Sequence, residues 1–225
     1  TAGEKAVEEI QSGMTIGLGS GSTVYHTILK IGEAIKSGKL QNIRAIPSSD
    51  HTESVAKKVG IPMVTFKDYQ SIDLTIDGAD EVDENLNLIK GGGAAHLREK
   101  VLVQISEKFV VVIDESKLSK NLGEKWSVPL EVIKFAFPAI ARFVENNDGI
   151  PILRKSKEDK PVITDEGNYI IDANFGVIHN PFQLAEKLES KAGIVEHGLF
   201  LNLASKIIVA GEEGLKIIEK SSSDF

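Results

Sequence analysis

Met14-Thr15-Ile16-Gly17-Leu18-Gly19-Ser20-Gly21-Ser22-Thr23-Val24 is a short apolar run that breaks into a glycine-rich turn and then enters a helical pattern. The apolar part suits a buried strand. From Thr23 through Ile35 the residues Val24, Ile28, Ile31 and Ile35 share one face of an amphipathic helix. Upstream, a helical pattern from Lys5 to Ile10 is ended by Ser12-Gly13. Downstream the alternation continues with strand Ile43 to Ile46, helix Thr52 to Val59, strand Pro62 to Thr65, strand Ile72 to Ile76, helix Ala94 to Ile105 and strand Phe109 to Ile113. Strands separated by helical crossovers imply an α/β fold with a doubly wound, mainly parallel, Rossmann-like sheet.

After Lys117 the rhythm changes. A strand at Val128 to Lys134, a helix at Pro138 to Glu145, strands at Ile150 to Arg154 and Tyr169 to Ala173, a helix at Pro181 to Lys191 and a strand at Gly193 to Phe200 spell β-α-β-β-α-β. That order is the split, ferredoxin-like α+β arrangement. Lys206 to Gly211 and Leu215 to Ile218 read as strands that return to the first sheet. The expected organisation is a Rossmann-like catalytic domain over 1–127 plus 201–225 and a smaller ferredoxin-like domain over 128–200. Only the Ser221 to Ser223 tail reads as frayed.

Bulk properties narrow the function classes. The chain has 225 residues and a formal charge of −7 with no basic block, which argues against a nucleic-acid partner. An anionic ligand would have to be met by local groups. There is no cysteine, which excludes disulfides, thiolate metal sites and a cysteine nucleophile, and favours the cytoplasm. No apolar run reaches the roughly 18 to 20 residues that span a bilayer, and Thr1-Ala-Gly-Glu-Lys-Ala-Val7 lacks the regions of a signal peptide. No membrane association is expected.

In open parallel sheets the ligand crevice lies beyond the carboxyl ends of the strands. Four predicted strands end there in polar loops: Gly19 to Thr23, Ser48-Ser49-Asp50, Asp77-Gly78-Ala79-Asp80 and Asp114-Glu115-Ser116-Lys117. Gly19, Ser20, Gly21, Ser22 and Thr23 can offer successive backbone N–H groups and hydroxyls at a helix start, which suits a phosphate monoester. The bland reading is a tight turn with a serine cap. A dinucleotide fingerprint would need a third glycine where Ser22 stands, and no P-loop lysine follows.

Asp77 and Asp80 flank a turn at a strand end and are candidates for proton transfer or for holding sugar hydroxyls. Glu81, Asp83 and Glu84, by contrast, read as an ordinary solvated acidic loop. Lys90-Gly91-Gly92-Gly93-Ala94-Ala95 permits close backbone approach to a ligand and then opens a helix. Lys90 can neutralise a developing oxyanion, and Glu99, farther along that helix, can act as a base, although an isolated helical glutamate is more often on the surface. His96 is more often structural in such a place. The acids do not have EF-hand spacing and no histidine pair marks a zinc site, so no metal is expected. Phosphate donors, an oxyanion-stabilising lysine and several carboxylates together equip a site to move a proton next to a carbonyl, as in enediol isomerisation.

Gly19-Ser-Gly-Ser-Thr23, Asp77-Gly-Ala-Asp-Glu81, Lys90-Gly-Gly-Gly-Ala-Ala95 with Arg98-Glu99-Lys100, and Ser116-Lys117 resemble the successive signatures of type A ribose-5-phosphate isomerases. Pro129 to Val132 and Val195 to Phe200 carry the likeness into the second half. The resemblance implies interconversion of ribose 5-phosphate and ribulose 5-phosphate in the pentose phosphate pathway without metal or organic cofactor. It places Glu99 on the general base, Lys90 on the residue that stabilises the enediolate, and Asp77 and Asp80 on ring opening and hydroxyl positioning. Ser22, Thr23 and Lys117 fall on phosphate contacts, and Ser48, Gly91, Gly92 and Gly93 join the expected substrate-binding set. Ser20 stands where many members carry threonine, and His96 departs from the usual pattern. The family also implies a homodimer or homotetramer. The rival functions are a sugar-phosphate sensor, a nicotinamide-dependent dehydrogenase and another phosphosugar isomerase.

Overall fold

A computed structural model describes residues 1–219 of the chain. In chain order the first elements are α1 (Ala2–Ala6), β1 (Thr15–Leu18), α2 (Ser22–Lys36), β2 (Arg44–Pro47), α3 (Asp50–Val59), β3 (Leu74–Asp77), β4 (Glu81–Val82), β5 (Leu88–Ile89), α4 (His96–Gln104) and β6 (Phe109–Asp114). They are followed by β7 (Val128–Val132), α5 (Phe137–Glu145), β8 (Ile150–Leu153), β9 (Tyr169–Asn174), α6 (Pro181–Glu189), β10 (Ile194–His197), β11 (Leu199–Phe200), β12 (Lys206–Gly211) and β13 (Gly214–Glu219). The chain divides into two compact units. One comprises 1–78, 98–116 and the segment from 203 onward; the other comprises 79–97 and 117–202.

The first unit is built on a six-stranded sheet in the order β13-β12-β6-β3-β1-β2. β1, β2, β3, β6 and β12 are mutually parallel, and only the β12–β13 hairpin is antiparallel. One face packs against α1, α2 and α3. Val24, Ile28 and Ile31 of α2 are almost fully buried there with Ile16, Leu18, Ile76 and Val112, and Ile35 is partly buried. Each such aliphatic side chain contributes roughly 1.5–3 kcal/mol on burial, so the period read from Val24 to Ile35 suffices to seat the helix. Ile46, Ile72 and Leu102 of α4 form a separate cluster. Because β2 leads back past β1 to β3, the strand order reverses between β1 and β3, which makes the carboxyl ends of these two strands the topological switch point.

The second unit contains a four-stranded antiparallel sheet in the order β10-β7-β9-β8, the arrangement expected for a ferredoxin-like β-α-β-β-α-β segment. Its core gathers Leu130, Val132, Ile140, Val144, Ile171 and Leu188. A small second sheet, β11-β5-β4, lies in the same unit.

Several expectations change. Pro62 to Thr65 is not a strand: Met63 makes one parallel bridge to Ala45, Pro62 has no N–H to extend it, and the chain then turns at Thr65, whose carbonyl accepts from the Asp68 and Tyr69 N–H groups. The helix expected from Lys5 to Ile10 lies earlier, at Ala2–Ala6, and passes into a 3₁₀ turn at Val7–Glu9. Gly193 to Phe200 is two strands, because Gly198 donates to the Pro129 carbonyl while its own carbonyl accepts from Lys90 N–H, which separates β10 in one sheet from β11 in the other. The second unit also takes in 79–97, 117–127 and 201–202, beyond the 128–200 segment expected for the small domain. The Ser221 to Ser223 tail lies outside the described residues.

Candidate active site

At the switch point the end of β1 presses directly against the end of β3. Gly19 N–H donates to the Ile76 carbonyl, and an added Cβ at Gly19 would fall 1.9 Å from Cγ of Asp77, so only glycine allows this approach. Asp77 is fully buried. Its Oδ1 accepts from the Ser20 N–H at 3.1 Å and from the Gly78 N–H at 2.7 Å, charge-assisted bonds that hold the carboxylate at the strand end.

Hydroxyls lock the rest of the glycine loop. Ser20 Oγ lies 2.9 Å from Ser48 Oγ, 2.8 Å from Ser49 Oγ and 3.1 Å from Thr52 Oγ1, and Thr52 Oγ1 donates to the Gly19 carbonyl at 2.9 Å. Ser49 caps α3 through the Thr52 N–H. Ser48, expected in the substrate-binding set, is fully buried, and its hydroxyl meets Ser20 on the inner side of the loop. The loop ends at Gly21, the N-cap of α2, where no side chain caps the helix; Ser22 is exposed and Thr23 half-buried at this dipole-positive end.

In the same unit, Glu99 stands in the first turn of α4. It is only 4% exposed, as is Lys100, so the bland reading of a surface carboxylate fails. Arg98 at the same helix start pairs with Asp50 at the start of α3, 2.8 Å away.

The second unit carries Asp80, Lys90, the triple glycine and Lys117. Asp80 Oδ2 accepts from the Gly92 N–H at 2.7 Å. Lys90 is 3% exposed, its N–H donates to the Gly198 carbonyl at 2.8 Å, and its ammonium lies 5.5 Å from the centre of the Phe200 ring. Gly91 begins a turn that closes with Ala94 N–H on the Gly91 carbonyl. His96 is fully buried with Nε2 3.4 Å from the Glu196 carbonyl, which suits the structural reading. Lys117 ends a short 3₁₀ turn with its ammonium 5.2 Å from the centre of the Trp126 ring.

Glu81 overturns an expectation. It is fully buried and accepts from Ser119 Oγ (2.6 Å), Gly123 N–H (2.9 Å), Lys125 N–H (3.0 Å) and Trp126 N–H (3.2 Å), gathering the loop on which Trp126 stands. Asp83 is also buried and organises its own turn through the N–H groups of Asn85 and Asn87. Only Glu84 is the solvated acid expected of all three. A run of acids hides the role of Glu81 because its donors come from 38 or more positions away. Arg154, which binds the triple-glycine turn, carries no local sequence signal that distinguishes it from other arginines. Among the described residues no cluster of three or more His, Asp or Glu has metal-binding geometry.

Comparison with known proteins shows the family. The model for the family described as Ribose 5-phosphate isomerase A (phosphoriboisomerase A) matches residues 44–214. The ribose-5-phosphate isomerase A of Desulfatibacillum aliphaticivorans is 48% identical over 215 residues, covering 96% of this chain and 94% of that protein. A solved D-ribose-5-phosphate isomerase in complex with phospho-erythronic acid superposes with a TM-score of 0.95 at 40% identity, covering 97% of this chain and 96% of the other. The ribose 5-phosphate isomerase of Plasmodium falciparum gives a TM-score of 0.93 at 38% identity, with 97% and 96% covered. With a family match over most of its length and an α/β architecture shared along nearly all of it, this chain belongs to the ribose 5-phosphate isomerase A family.

Proposed function

We propose that this chain interconverts D-ribose 5-phosphate and D-ribulose 5-phosphate through an enediolate, as a non-oxidative step of the pentose phosphate pathway. The observation that carries the assignment of roles is that two carboxylates, Asp77 and Glu99, are buried and a third, Asp80, is tied to the backbone. Asp77 is fully buried with two amide donors, Asp80 is held by the Gly92 N–H, and Glu99 is 4% exposed.

In the open-chain aldose, Glu99 as carboxylate removes the proton from C2, the C2–H electron pair becomes the C1–C2 double bond, and the C1 carbonyl oxygen takes up negative charge. The Lys90 ammonium lowers the cost of that oxyanion. Return of the proton to C1, with loss of the O2 proton and protonation of O1, leaves the ketose. Asp77 and Asp80 serve ring opening and hold sugar hydroxyls. Ser22, Thr23 and the first amides of α2, with Lys117, take the phosphate, which fixes the reacting carbons near the base. Gly19 allows the loop to pass Asp77, and Ser20 and Ser48 set its shape.

No metal or organic cofactor enters this scheme. A homodimer or homotetramer is supported by the edge strand β8, where Ile150 and Ile152 are 63% and 55% exposed. A cytoplasmic location fits the cysteine-free chain and the absence, among the described residues, of any helix long and apolar enough to cross a membrane.

The test is conversion of ribose 5-phosphate in excess EDTA by the wild type and by Glu99→Gln. Turnover by the wild type that collapses in the variant, with inorganic phosphate still competing at its wild-type strength, is expected. Tight binding without conversion by the folded wild type would make the chain a sugar-phosphate sensor.

A further inference from the structure

The triple-glycine turn is gripped by a residue from a distant part of the second unit. Arg154, just past β8, donates from Nη1 to the Gly91 carbonyl at 2.7 Å and to the Gly92 carbonyl at 3.0 Å. Its other edge forms a fork with Asp172 of β9: Nε donates to Oδ2 at 2.9 Å, and Nη2 donates to Oδ1. Both side chains are largely withdrawn from solvent, at 14% and 25% exposure. The guanidinium therefore commits four of its five N–H donors, two to the carboxylate and two to the turn.

The turn is held from the other side as well. The Gly91 carbonyl and the Gly92 N–H belong to one trans peptide and point in opposite directions. Arg154 holds the carbonyl, and Asp80 Oδ2 accepts from the N–H at 2.7 Å, so this peptide is clamped between a cation and a carboxylate. The next peptide also has its carbonyl on Arg154, which turns the Gly93 N–H away from the guanidinium. A side chain at residue 92 would break the clamp, since its Cβ would lie 2.6 Å from Asp80 Oδ1.

We propose that Arg154, locked by Asp172, is a positioning residue for the isomerisation: through the Gly91–Gly92 peptide it sets where Asp80 and the Gly93 N–H stand relative to the substrate's hydroxyls and developing oxyanion. This rests on the isomerase reading and on the roles given above to Asp80 and Lys90. The physical basis is that two carbonyl contacts and a carboxylate fork fix the turn in orientation as well as in place. A lysine ammonium, with no planar fork, cannot reproduce both edges.

The experiment measures kcat and KM for ribose 5-phosphate, and competitive inhibition by inorganic phosphate, in Arg154→Lys, Arg154→Ala and Asp172→Asn. Near-ultraviolet circular dichroism checks that each is folded. A misplacement of reacting groups of about 1 Å costs on the order of 100-fold in rate, so Arg154→Lys should lose kcat on that order. KM should stay within about threefold, as expected when only transition-state interactions are lost, and phosphate inhibition should be unchanged. Millimolar guanidinium should restore part of the kcat of Arg154→Ala and none of the Arg154→Lys loss, which a purely structural defect would not do. Wild-type kcat in Arg154→Lys, or a loss confined to KM and phosphate inhibition, overturns the proposal. Lys90→Ala and Glu99→Gln run alongside: if they keep full turnover, the underlying site reading falls, whereas their inactivity beside a fully active Arg154→Lys sinks the positioning role alone.

Discussion

Replacing Gly19 with alanine would put a methyl carbon 1.9 Å from Cγ, 2.0 Å from Oδ1 and 2.5 Å from Cβ of Asp77. Carbon atoms in ordinary contact stand about 3.5–4.0 Å apart, so the Asp77 side chain must retreat by roughly 1.5 Å or more, or β1 and β3 must separate. The side chain has no room to swing aside, because Asp77 is fully buried and its backbone is in register with Val111 of β6. Retreat breaks the bonds from the Ser20 and Gly78 N–H groups. Each bond to a charged acceptor is worth about 1.5–3 kcal/mol, and residual overpacking adds about 1–3 kcal/mol. We expect Gly19→Ala to lose at least roughly 4 kcal/mol, the low end of that sum, lowering Tm by at least about 8–16 °C at roughly 2–4 °C per kcal/mol for a chain of this size. Displacing the carboxylate should also cost about 100-fold in kcat. Thermal unfolding by circular dichroism and steady-state turnover of ribose 5-phosphate measure the two effects. Asp77→Ala removes two of the three clashing atoms, so the double variant should be destabilised by less than the sum of the singles. A Gly19→Ala protein within about 1 kcal/mol of wild type and above a tenth of its turnover would refute the close approach of β1 to Asp77.

Glu81→Gln leaves one acceptor oxygen where two receive four donors and turns an amide NH₂ toward N–H groups; a loss of about 2–4 kcal/mol in urea unfolding is expected, and an unchanged midpoint would contradict the clamp. Lys117→Ala should raise KM about tenfold, equivalent to roughly 1.4 kcal/mol of binding, with kcat little altered; unchanged KM and phosphate inhibition would remove Lys117 from the phosphate site. Lys206 has its pKa raised above its ordinary 10.5 by hydrogen bonds to Glu219 and Glu9. A group raised on folding contributes stability that is complete below the unfolded pKa and lost as pH rises through the folded one. Wild type should therefore exceed Lys206→Met in stability at neutral pH and lose that advantage above about pH 10.5; a pH-independent difference in urea midpoint would refute the ion-pair account.

The sequence by itself determined the parallel sheet and its helices, because buried strands and amphipathic helices impose periods that local composition reveals. Val24, Ile28 and Ile31 lie in the core as their spacing requires. It also located the loops at the strand ends, since a glycine-rich turn after an apolar run and two aspartates at the next strand's exit are contiguous signals. β4 and β5, at two residues each, are too short to carry a period. The burial of Glu81 and Asp83, the enclosure of Ser48 and the grip of Arg154 on the Gly91–Gly92 turn were decided only by tertiary structure. For Glu81, Ser48 and Arg154 the partners lie far along the chain, such as the 63 positions between Arg154 and Gly91; for Asp83 they lie nearby, but packing decided its burial. A carboxylate's role depends on which donors surround it: an acid read as solvated in a polar run becomes an organising centre once four amides and hydroxyls are folded around it.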